Sequence, residues 1–230
     1  MVQIYLYVEG QTEQEFARTV LTPHLAGFGV YLMGAVLAEF SRGKGRVHRG
    51  GVTKYGPFRR GLIELMKQHD RPGVAFSTML DYYKYPTDAP GWADAGKLTD
   101  PPQRVAALQD ALAADTDPRR LTPHIQLHEF EALLFTDPTC LEFTHPGQPA
   151  AIAALRQIAS EFSSPEDIND GELTAPSKRI LQHIPDYDKV LAGSETAILI
   201  GLTAIRAKCP HFDAWVTKLE GLVAPTTTAP

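Results

Sequence analysis

The chain has 230 residues, of which 43% are hydrophobic and 21% are charged, and its net charge of −5 argues mildly against a nucleic-acid partner. No segment approaches the ~20 uninterrupted apolar residues of a membrane span, and the N-terminus lacks a signal-peptide pattern, so we expect a cytoplasmic protein without membrane contact. The only cysteines, Cys140 and Cys209, lie far apart in sequence, which excludes a disulfide scaffold and a cysteine zinc site.

The first segment predicts a strand, a tight turn and a helix. Residues 2–8, VQIYLYV, are β-branched and aromatic with little polarity, which indicates a buried strand. The following GQTEQEF supplies the turn and the start of the helix, where Thr12 and Glu15 have the spacing of a capping box.

The next segments continue this alternation. Residues 30–40 predict a second strand, and a glycine-rich basic loop at 41–56 leads into an amphipathic helix. A third strand, VAFSTML, ends at Asp81. Strands that alternate with helices in this order build a parallel sheet, so we expect an α/β fold with helices flanking the sheet.

After the third strand the pattern becomes increasingly helical. A connection at 82–102 is long enough to be a functional loop, and it precedes a helix at about 103–114 and a fourth strand around HIQLH. Further helices are expected through EFEALLF, at 149–162, from Pro176 and across 194–222. We therefore divide the chain into an α/β core at 1–136, a helical part packed on it at 137–224 and a flexible tail at 225–230.

Acidic residues follow three of the predicted strands. Glu9 follows the first strand, Asp81 ends the third, and Glu129 and Glu131 follow the fourth. Glu13 lies on the first helical turn, four residues after Glu9. The carboxyl ends of parallel strands meet at one edge of the sheet, and converging carboxylates favour a hard cation such as Mg²⁺ or Mn²⁺. Two such ions about 4 Å apart can clamp a phosphodiester during hydrolysis.

The acids other than Glu9 also have a structural interpretation, whereas Glu9, between a buried strand and Gly10, has no capping role. The helix dipole explains Glu13 as well as a metal does, and Asp81 has the character of a turn residue. On an α-helix Glu129 and Glu131 diverge by about 200°, so only one of them is expected to face the pocket while the other is solvated or paired. His124 and His128 are expected to be structural histidines rather than ligands.

A basic strip interrupts the acidic chain. Between residues 42 and 60 there are seven basic residues and no acidic ones. They are Arg42, Lys44, Arg46, Arg49, Lys54, Arg59 and Arg60. The strip is either a solvated loop or a polyanion-binding surface, and we favour the second because an anionic partner would screen the repulsion between its cations, with Tyr55 and Phe58 available for stacking on bases.

A second basic site lies in PSKRI at 176–180. Ser177, Lys178 and Arg179 are placed at a predicted helix N-terminus, where backbone N–H groups attract phosphate. An ordinary exposed helix face explains Lys178 and Arg179 equally well.

Five ordered segments together resemble a known family. They are EGQTEQEF, MLDYYKYP, HEFEALLF, INDGELTAPSKRI and CPHFDAWVTKLE. They resemble a Toprim-like bacterial family, domain of unknown function family 4276, which is related to the overcoming-lysogenization-defect (OLD) type nucleases, and the resemblance covers nearly the whole chain.

The resemblance implies a compact Rossmann-like fold that binds Mg²⁺ through a Glu after the first strand and an Asp-x-Asp after the third. Glu9 matches that Glu, and its spacing to Glu13 resembles the paired-Glu variant of the OLD nucleases. Asp81 matches the first Asp, but Tyr83 stands at the second Asp position. Lys178 resembles, by context, the lysine that stabilises transition-state charge.

The implied function is a metal-dependent nuclease acting on DNA or RNA. Glu9 and Asp81 would bind the catalytic metal, while Glu13 and Glu129 or Glu131 would complete a second metal site. A separately encoded ATPase in phage defence is implied as partner, because this chain has no Walker motif. The alternative is a catalytically silent Toprim-like subunit that binds nucleic acid or a partner. A nucleotidyl transferase is disfavoured by the lack of a nucleoside-triphosphate motif, and the oligomeric state stays open.

Overall fold

The computed structural model describes residues 1–38, 54–168, 171 and 173–223. Its centre is a parallel sheet whose strands follow the order β2-β1-β3-β4, with β5 also paired to β3. The strands are β1 Val2–Val8, β2 Val30–Leu37, β3 Val74–Asp81, β4 Leu121–Thr122 and β5 Ile125–Gln126. The predicted α/β class with a parallel sheet is confirmed.

Eleven α-helices are assigned within the described ranges. They are α1 Gln11–Phe16, α2 Thr22–Ala26, α3 Tyr55–Gln68, α4 Trp92–Ala95, α5 Pro101–Asp115, α6 Leu141–Thr144, α7 Pro149–Ser160, α8 Pro176–His183, α9 Ser194–Ile200, α10 Leu202–Lys208 and α11 Pro210–Glu220. The shorter helical turns are π-helical at Ala17–Leu21 and Lys189–Gly193 and 3₁₀-helical at Phe130–Thr136, Pro138–Cys140 and Pro165–Asp167.

The two faces of the sheet bury two separate cores. Successive strand residues point to opposite faces, so Ile4 and Leu6 of β1 face one core while Tyr5 and Tyr7 face the other. The first core, which we call the shared core, joins β1 to side chains that come from residues 130–219. The second core lies under α3 and α5. The helical residues after 136 therefore pack directly on the face of the sheet that carries Asp81.

The fourth strand differs from its prediction. The expected single strand over 124–128 is replaced by the two-residue strands β4 and β5. Between them the Thr78 hydroxyl accepts from the His124 N–H and donates to the His124 carbonyl, both at 3.0 Å. The Leu80 N–H also donates to the His124 carbonyl, at 3.3 Å. The Thr78 side chain thus supplements the backbone ladder at this point, and Pro123, which has no N–H to donate, precedes the interruption.

The predicted capping box at α1 is wrong. Gly10 occupies the N-cap position without a side-chain hydrogen bond. The Thr12 hydroxyl instead donates to the Lys189 carbonyl at 3.3 Å, and Glu15 pairs with Arg18. Tertiary contact thus replaces the local cap that the spacing predicted.

Part of the long connection after β3 packs against the second core, although many of its residues are exposed. Tyr82 and Tyr85 are buried in the second core, and the Tyr85 ring stacks against Trp92 at 6.4 Å between centroids. The connection also contains α4. The aromatic residues Tyr82, Tyr85 and Trp92 of this connection therefore pack against the protein.

No single helix in the described ranges combines the length and apolarity of a membrane span. Lys189–Ile200 and Leu202–Lys208 reach that length and composition only when taken together, and the two are bent by 86° relative to each other.

Candidate functional site

Glu9 and Asp81 lie side by side where β1 and β3 end. The Glu9 N–H donates to the Met79 carbonyl at 3.1 Å, which extends the ladder by one residue. The Asp81 N–H in turn donates to Glu9 Oε2 at 3.0 Å. Parallel pairing of β1 with β3 thus brings together two acids that are 72 residues apart in sequence.

Asp81 ties the sheet edge to the next helical turn. Its carboxylate is 7% exposed, and Oδ1 accepts from the Phe130 N–H at 2.9 Å, at the start of the turn Phe130–Thr136. Burial raises the pKa of this carboxyl well above its ordinary value, and the charges of Glu9, Glu13 and Glu131 add to the increase, while Lys189 opposes it.

Glu131 is fully buried and faces Lys189. Its Oε2 lies 3.0 Å from Lys189 Nζ. Apart from this ion pair, neither Glu131 oxygen has a hydrogen-bond partner among the described residues. Burial raises the pKa of Glu131 to about 7 in spite of the Lys189 charge. A buried carboxylate without dipolar partners is expensive, so this side chain is maintained at a stability cost.

Glu13 joins the same cluster from α1. It is 2% exposed, and a Cβ added at Gly10 would lie 2.9 Å from Glu13 Oε2, so a larger residue there would require the Glu13 carboxylate to shift. Burial raises the pKa of Glu13, and Lys189 lowers it.

Lys189 is the cation that sequence reasoning missed. Its ammonium lies 3.0 Å from Glu131 Oε2 and 3.5 Å from Asp81 Oδ2, while its side chain remains 43% exposed. Burial lowers the pKa of Lys189, but the surrounding carboxylates, Glu131 first, raise it well above its ordinary value. Lys189 follows the loop residues Asp186, Tyr187 and Asp188, a segment without a recognisable motif, so no sequence signal marked it.

Tyr187 adds a buried hydroxyl beside this cluster. The side chain is 7% exposed, and its hydroxyl has no hydrogen-bond partner within the described ranges. Gly193 makes room for it, because a Cβ there would lie 2.7 Å from the hydroxyl oxygen. Burial and the charge of Glu131 raise the pKa of Tyr187 well above its usual range, so the phenol stays protonated.

Glu129 caps α8. Its Oε2 accepts from the Ser177 N–H at 2.9 Å and its Oε1 from the Ser177 hydroxyl at 3.1 Å. The helix N-terminus predicted to attract phosphate is therefore occupied by a carboxylate. Glu129 and Glu131 are both buried, at 4% and 0% exposure, because the turn is 3₁₀-helical and Glu129 precedes it in extended backbone. Glu131 contacts Lys189 within the acid cluster, whereas both oxygens of Glu129 are used by Ser177.

The remaining basic residues separate into engaged and exposed groups. Arg179 donates to the Thr174 carbonyl at 2.8 Å and covers the Phe162 ring, and Arg59 pairs with Asp115 at 2.6 Å. Lys54, Arg60 and Lys178 are exposed. The residues outside the described ranges are Arg42, Lys44, Arg46 and Arg49.

The predicted stacking role of Tyr55 and Phe58 is wrong. Both side chains are buried in the second core, at 7% and 1% exposure. The Tyr55 hydroxyl also donates to Asp115 at 2.7 Å. Neither ring is available to a nucleobase.

His124, His128 and Tyr83 make contacts with other parts of the fold. His124 is buried and stacks on Trp215 at 4.4 Å between ring centroids. The His128 backbone lies in the left-handed region at φ 66°, and its carbonyl accepts from the Tyr83 N–H at 2.7 Å. Tyr83, at the second Asp position of the Toprim pattern, has Lys84 over its ring at 5.1 Å.

The carboxylates of this cluster have the chemistry of ligands for a hard divalent cation. Several of their oxygens, however, already contact other groups. Carboxylate oxygens are the ligands that Mg²⁺ prefers, and Glu131 supplies buried oxygens without hydrogen-bond donors. In the part of the chain that the structure describes, no three Asp, Glu, His or Cys side chains are arranged as one metal site. Lys189 and backbone N–H groups contact oxygens that such a site would use.

Comparison with known proteins gives a family and distant structural similarities. Residues 8–220 match the family described as a domain of unknown function, DUF4276. No curated protein matches the chain. Among solved structures, the C-terminal region of the Burkholderia pseudomallei OLD protein is 13% identical with a TM-score of 0.45, covering 94% of this chain and 98% of that one. The corresponding region of the Xanthomonas campestris pv. campestris OLD protein is 13% identical with a TM-score of 0.42, covering 95% and 98%.

Proposed function

This chain belongs to the family DUF4276, and for it we propose hydrolysis of phosphodiester bonds in DNA or RNA with the help of a divalent metal. The observation that carries the proposal is the convergence of Asp81, Glu131 and the Lys189 ammonium at the edge of the sheet where β1 and β3 end. Buried acids and a cation in contact are the groups needed to hold a metal and an anionic substrate together.

The metal would be held by Glu9, Glu13 and Asp81, with Glu129 or Glu131 as a further donor. Mg²⁺ or Mn²⁺ bound there supplies Lewis acidity and lowers the pKa of a coordinated water. We keep Glu9 and Asp81 as the principal ligands because their backbones are joined by the sheet and their positions are therefore fixed.

The chain's own residues would bind the phosphate and handle the proton. Lys189 directs a permanent positive charge into the cluster, which would stabilise negative charge that develops on the phosphate. This is the role that the family resemblance implied for Lys178, which is exposed on α8 and would approach the substrate from outside. Glu131, with a pKa of about 7, is suited to accept a proton on its carboxylate at neutral pH. The protonated Tyr187 hydroxyl can donate a hydrogen bond.

A second candidate is a catalytically silent subunit that binds nucleic acid or a partner. Two observations favour it. Tyr83 replaces a carboxylate of the Toprim pattern, and Lys189 already neutralises part of the acid cluster. A silent subunit has no need of a metal, so the two candidates differ in what metal does to the protein.

We propose that basic residues of the strip contact the nucleic-acid backbone. They are the exposed Lys54 and Arg60, together with Arg42, Lys44, Arg46 and Arg49. Arg59 and Arg179 already bind Asp115 and Thr174, so their contribution requires exchange of those partners. A separately encoded ATPase and a role in phage defence are proposed from the sequence resemblance.

The decisive test is a nuclease assay on single- and double-stranded DNA and RNA with Mg²⁺, Mn²⁺ or EDTA. Asp81→Asn keeps the shape of the side chain but removes a charge that holds a hard cation, so hydrolysis should fall at least about 100-fold. Asp94→Asn is the matched control, because Asp94 is 82% exposed and pairs only with Lys97 in the described structure.

Equal rates for the two variants would remove Asp81 from the mechanism. If the wild-type chain hydrolyses no polynucleotide with either metal, the silent subunit becomes the better interpretation. In that case mixing with Mg²⁺ or Mn²⁺ should leave the melting temperature unchanged, whereas a metal-binding enzyme becomes more stable by mass action.

A further inference from the structure

Lys189 places an ammonium group among the carboxylates that a pair of metal ions would share. We propose that this ammonium takes the place of one of the two divalent cations, so that the chain binds a single metal ion. The inference rests on the proposed function, since the same carboxylates hold the metal, but it concerns the number of ions bound and is tested without measuring hydrolysis.

The first argument comes from oxygens that already have partners. Asp81 Oδ1 accepts from the Phe130 N–H at 2.9 Å, and Glu9 Oε2 accepts from the Asp81 N–H at 3.0 Å. Glu129 uses both oxygens on Ser177. These contacts are made by the backbone and by a helix N-terminus, so they are part of the fold, and a second ion would have to use Asp81 Oδ2 and the Glu131 oxygens.

The second argument comes from where the ammonium lies. Lys189 Nζ approaches Glu131 Oε2 at 3.0 Å and Asp81 Oδ2 at 3.5 Å. Those two oxygens face a cation already, whereas Glu13 lies on the α1 side, against Gly10. A divalent ion bound between Asp81 and Glu131 would have to displace the ammonium, whereas an ion on the Glu9 and Glu13 side would not.

The third argument is that the backbone of Lys189 is held in place. The Lys189 carbonyl accepts from the Thr12 hydroxyl at 3.3 Å, and Asp188 caps the following π-helical turn through the Leu191 N–H at 2.8 Å.

The buried hydroxyl of Tyr187 is a further observation beside the ammonium. Tyr187 is two residues before Lys189, its hydroxyl has no hydrogen-bond partner in the described structure, and the charges of Glu131 and Lys189 act on it. A buried donor without a partner indicates that a polar ligand completes this site.

Calorimetric titration of the metal-free chain with Mn²⁺ measures the number of ions directly. We expect one Mn²⁺ per wild-type chain and two per Lys189→Met chain, together with a larger increase in melting temperature on adding Mn²⁺ to the variant. Lys97→Met is the matched control, because Lys97 also pairs with a carboxylate but lies on the surface. It should bind one ion.

A charge-balanced variant keeps the test valid if Lys189→Met fails to fold. Glu131→Gln/Lys189→Met removes the ammonium together with its nearest carboxylate, and circular dichroism checks its fold. It should bind one Mn²⁺, because the Glu9, Glu13 and Asp81 side is intact. Two ions in the wild-type chain, or in this double variant, would overturn the inference.

The inference and the proposed function fail in distinguishable ways. One bound Mn²⁺ without hydrolysis of any polynucleotide would defeat the nuclease and leave the inference standing. Hydrolysis by a wild-type chain that binds two ions would defeat the inference alone. A wild-type chain that binds no Mn²⁺ and hydrolyses nothing would contradict both.

Discussion

At the scale of one residue, the buried hydroxyl of Tyr187 lowers the stability of the fold but is available to a ligand. Its hydroxyl is buried without a hydrogen-bond partner in the described structure, and a buried polar group left unpaired costs about 1–3 kcal/mol. Such a cost is tolerated where a ligand supplies the missing partner. The same reasoning applies to Glu131 Oε1, which has no hydrogen-bond partner in the described structure.

Tyr187→Phe should therefore separate the two effects. Removing the hydroxyl should leave the free energy of unfolding unchanged or raise it by about 1 kcal/mol, while hydrolysis falls at least about 10-fold because a fixed donor is removed. Urea unfolding and the nuclease assay measure the two quantities. Tyr31→Phe, at a tyrosine that is 40% exposed, is the control and should change neither.

A destabilised Tyr187→Phe chain with normal hydrolysis would mean that the hydroxyl has a structural partner and no part in the site.

At the scale of elements, Glu166 anchors the start of α11. Its carboxylate accepts from the His211 N–H at 2.8 Å and the Phe212 N–H at 2.9 Å, and the side chain is 3% exposed. Negative charge is favourable at a helix N-terminus. Burial nevertheless dominates and raises the pKa of Glu166 to about 6.

This raised pKa predicts a pH dependence with a definite sign. The folded chain holds the Glu166 proton more tightly than the unfolded chain, so this contribution to stability is complete below about pH 4.5 and is lost as the pH rises through about 6. Its size is about 2 kcal/mol. Glu166→Gln should remove this pH dependence. The free energy of unfolding of the variant, measured relative to wild type, should therefore increase by about 2 kcal/mol between pH 4.5 and pH 8.

Urea unfolding across this pH range checks the prediction. Glu142→Gln, at an exposed glutamate, serves as control and should follow the wild-type curve. If the free energy of unfolding of Glu166→Gln depends on pH in the same way as that of the wild-type chain, another group is responsible for the pH dependence.

The elements also show what sequence can and cannot predict. The ends of β1 and β3, and with them Glu9 and Asp81, were predictable because continuous β-branched and aromatic runs mark buried strands locally. The break between β4 and β5 was not, because it depends on the Thr78 side chain in another strand. Lys189 was missed for the same reason, since its place beside Asp81 is set by tertiary contacts such as the one from Thr12.

At the scale of the whole molecule, charge is distributed unevenly. Seven of the 22 basic residues lie between 42 and 60, in a chain whose net charge is −5. A polyanion is repelled by the acidic remainder and attracted by this strip, so its binding should be oriented by electrostatics and sensitive to salt.

Replacing Arg42, Lys44, Arg46 and Arg49 by Ala should weaken nucleic-acid binding and flatten its salt dependence. The logarithmic slope should change by about one for each phosphate that the chain no longer neutralises. Fluorescence anisotropy with a labelled oligonucleotide over a salt series measures this change. Arg119→Ala, which removes an exposed cation outside the strip, should leave the slope unchanged, and an unchanged slope in the fourfold variant would assign the strip to another partner.

The hydrogen bond between Thr12 and Lys189, which are separated by 177 residues, has a consequence for biosynthesis. While the ribosome is still translating, the acids Glu9, Glu13, Asp81 and Glu131 have all been made before the lysine that pairs with two of them. The shared core needs the late helices as well. A nascent chain therefore carries its acids without this counter-ion until residue 189 has been translated, so the complete cluster can assemble only after that point.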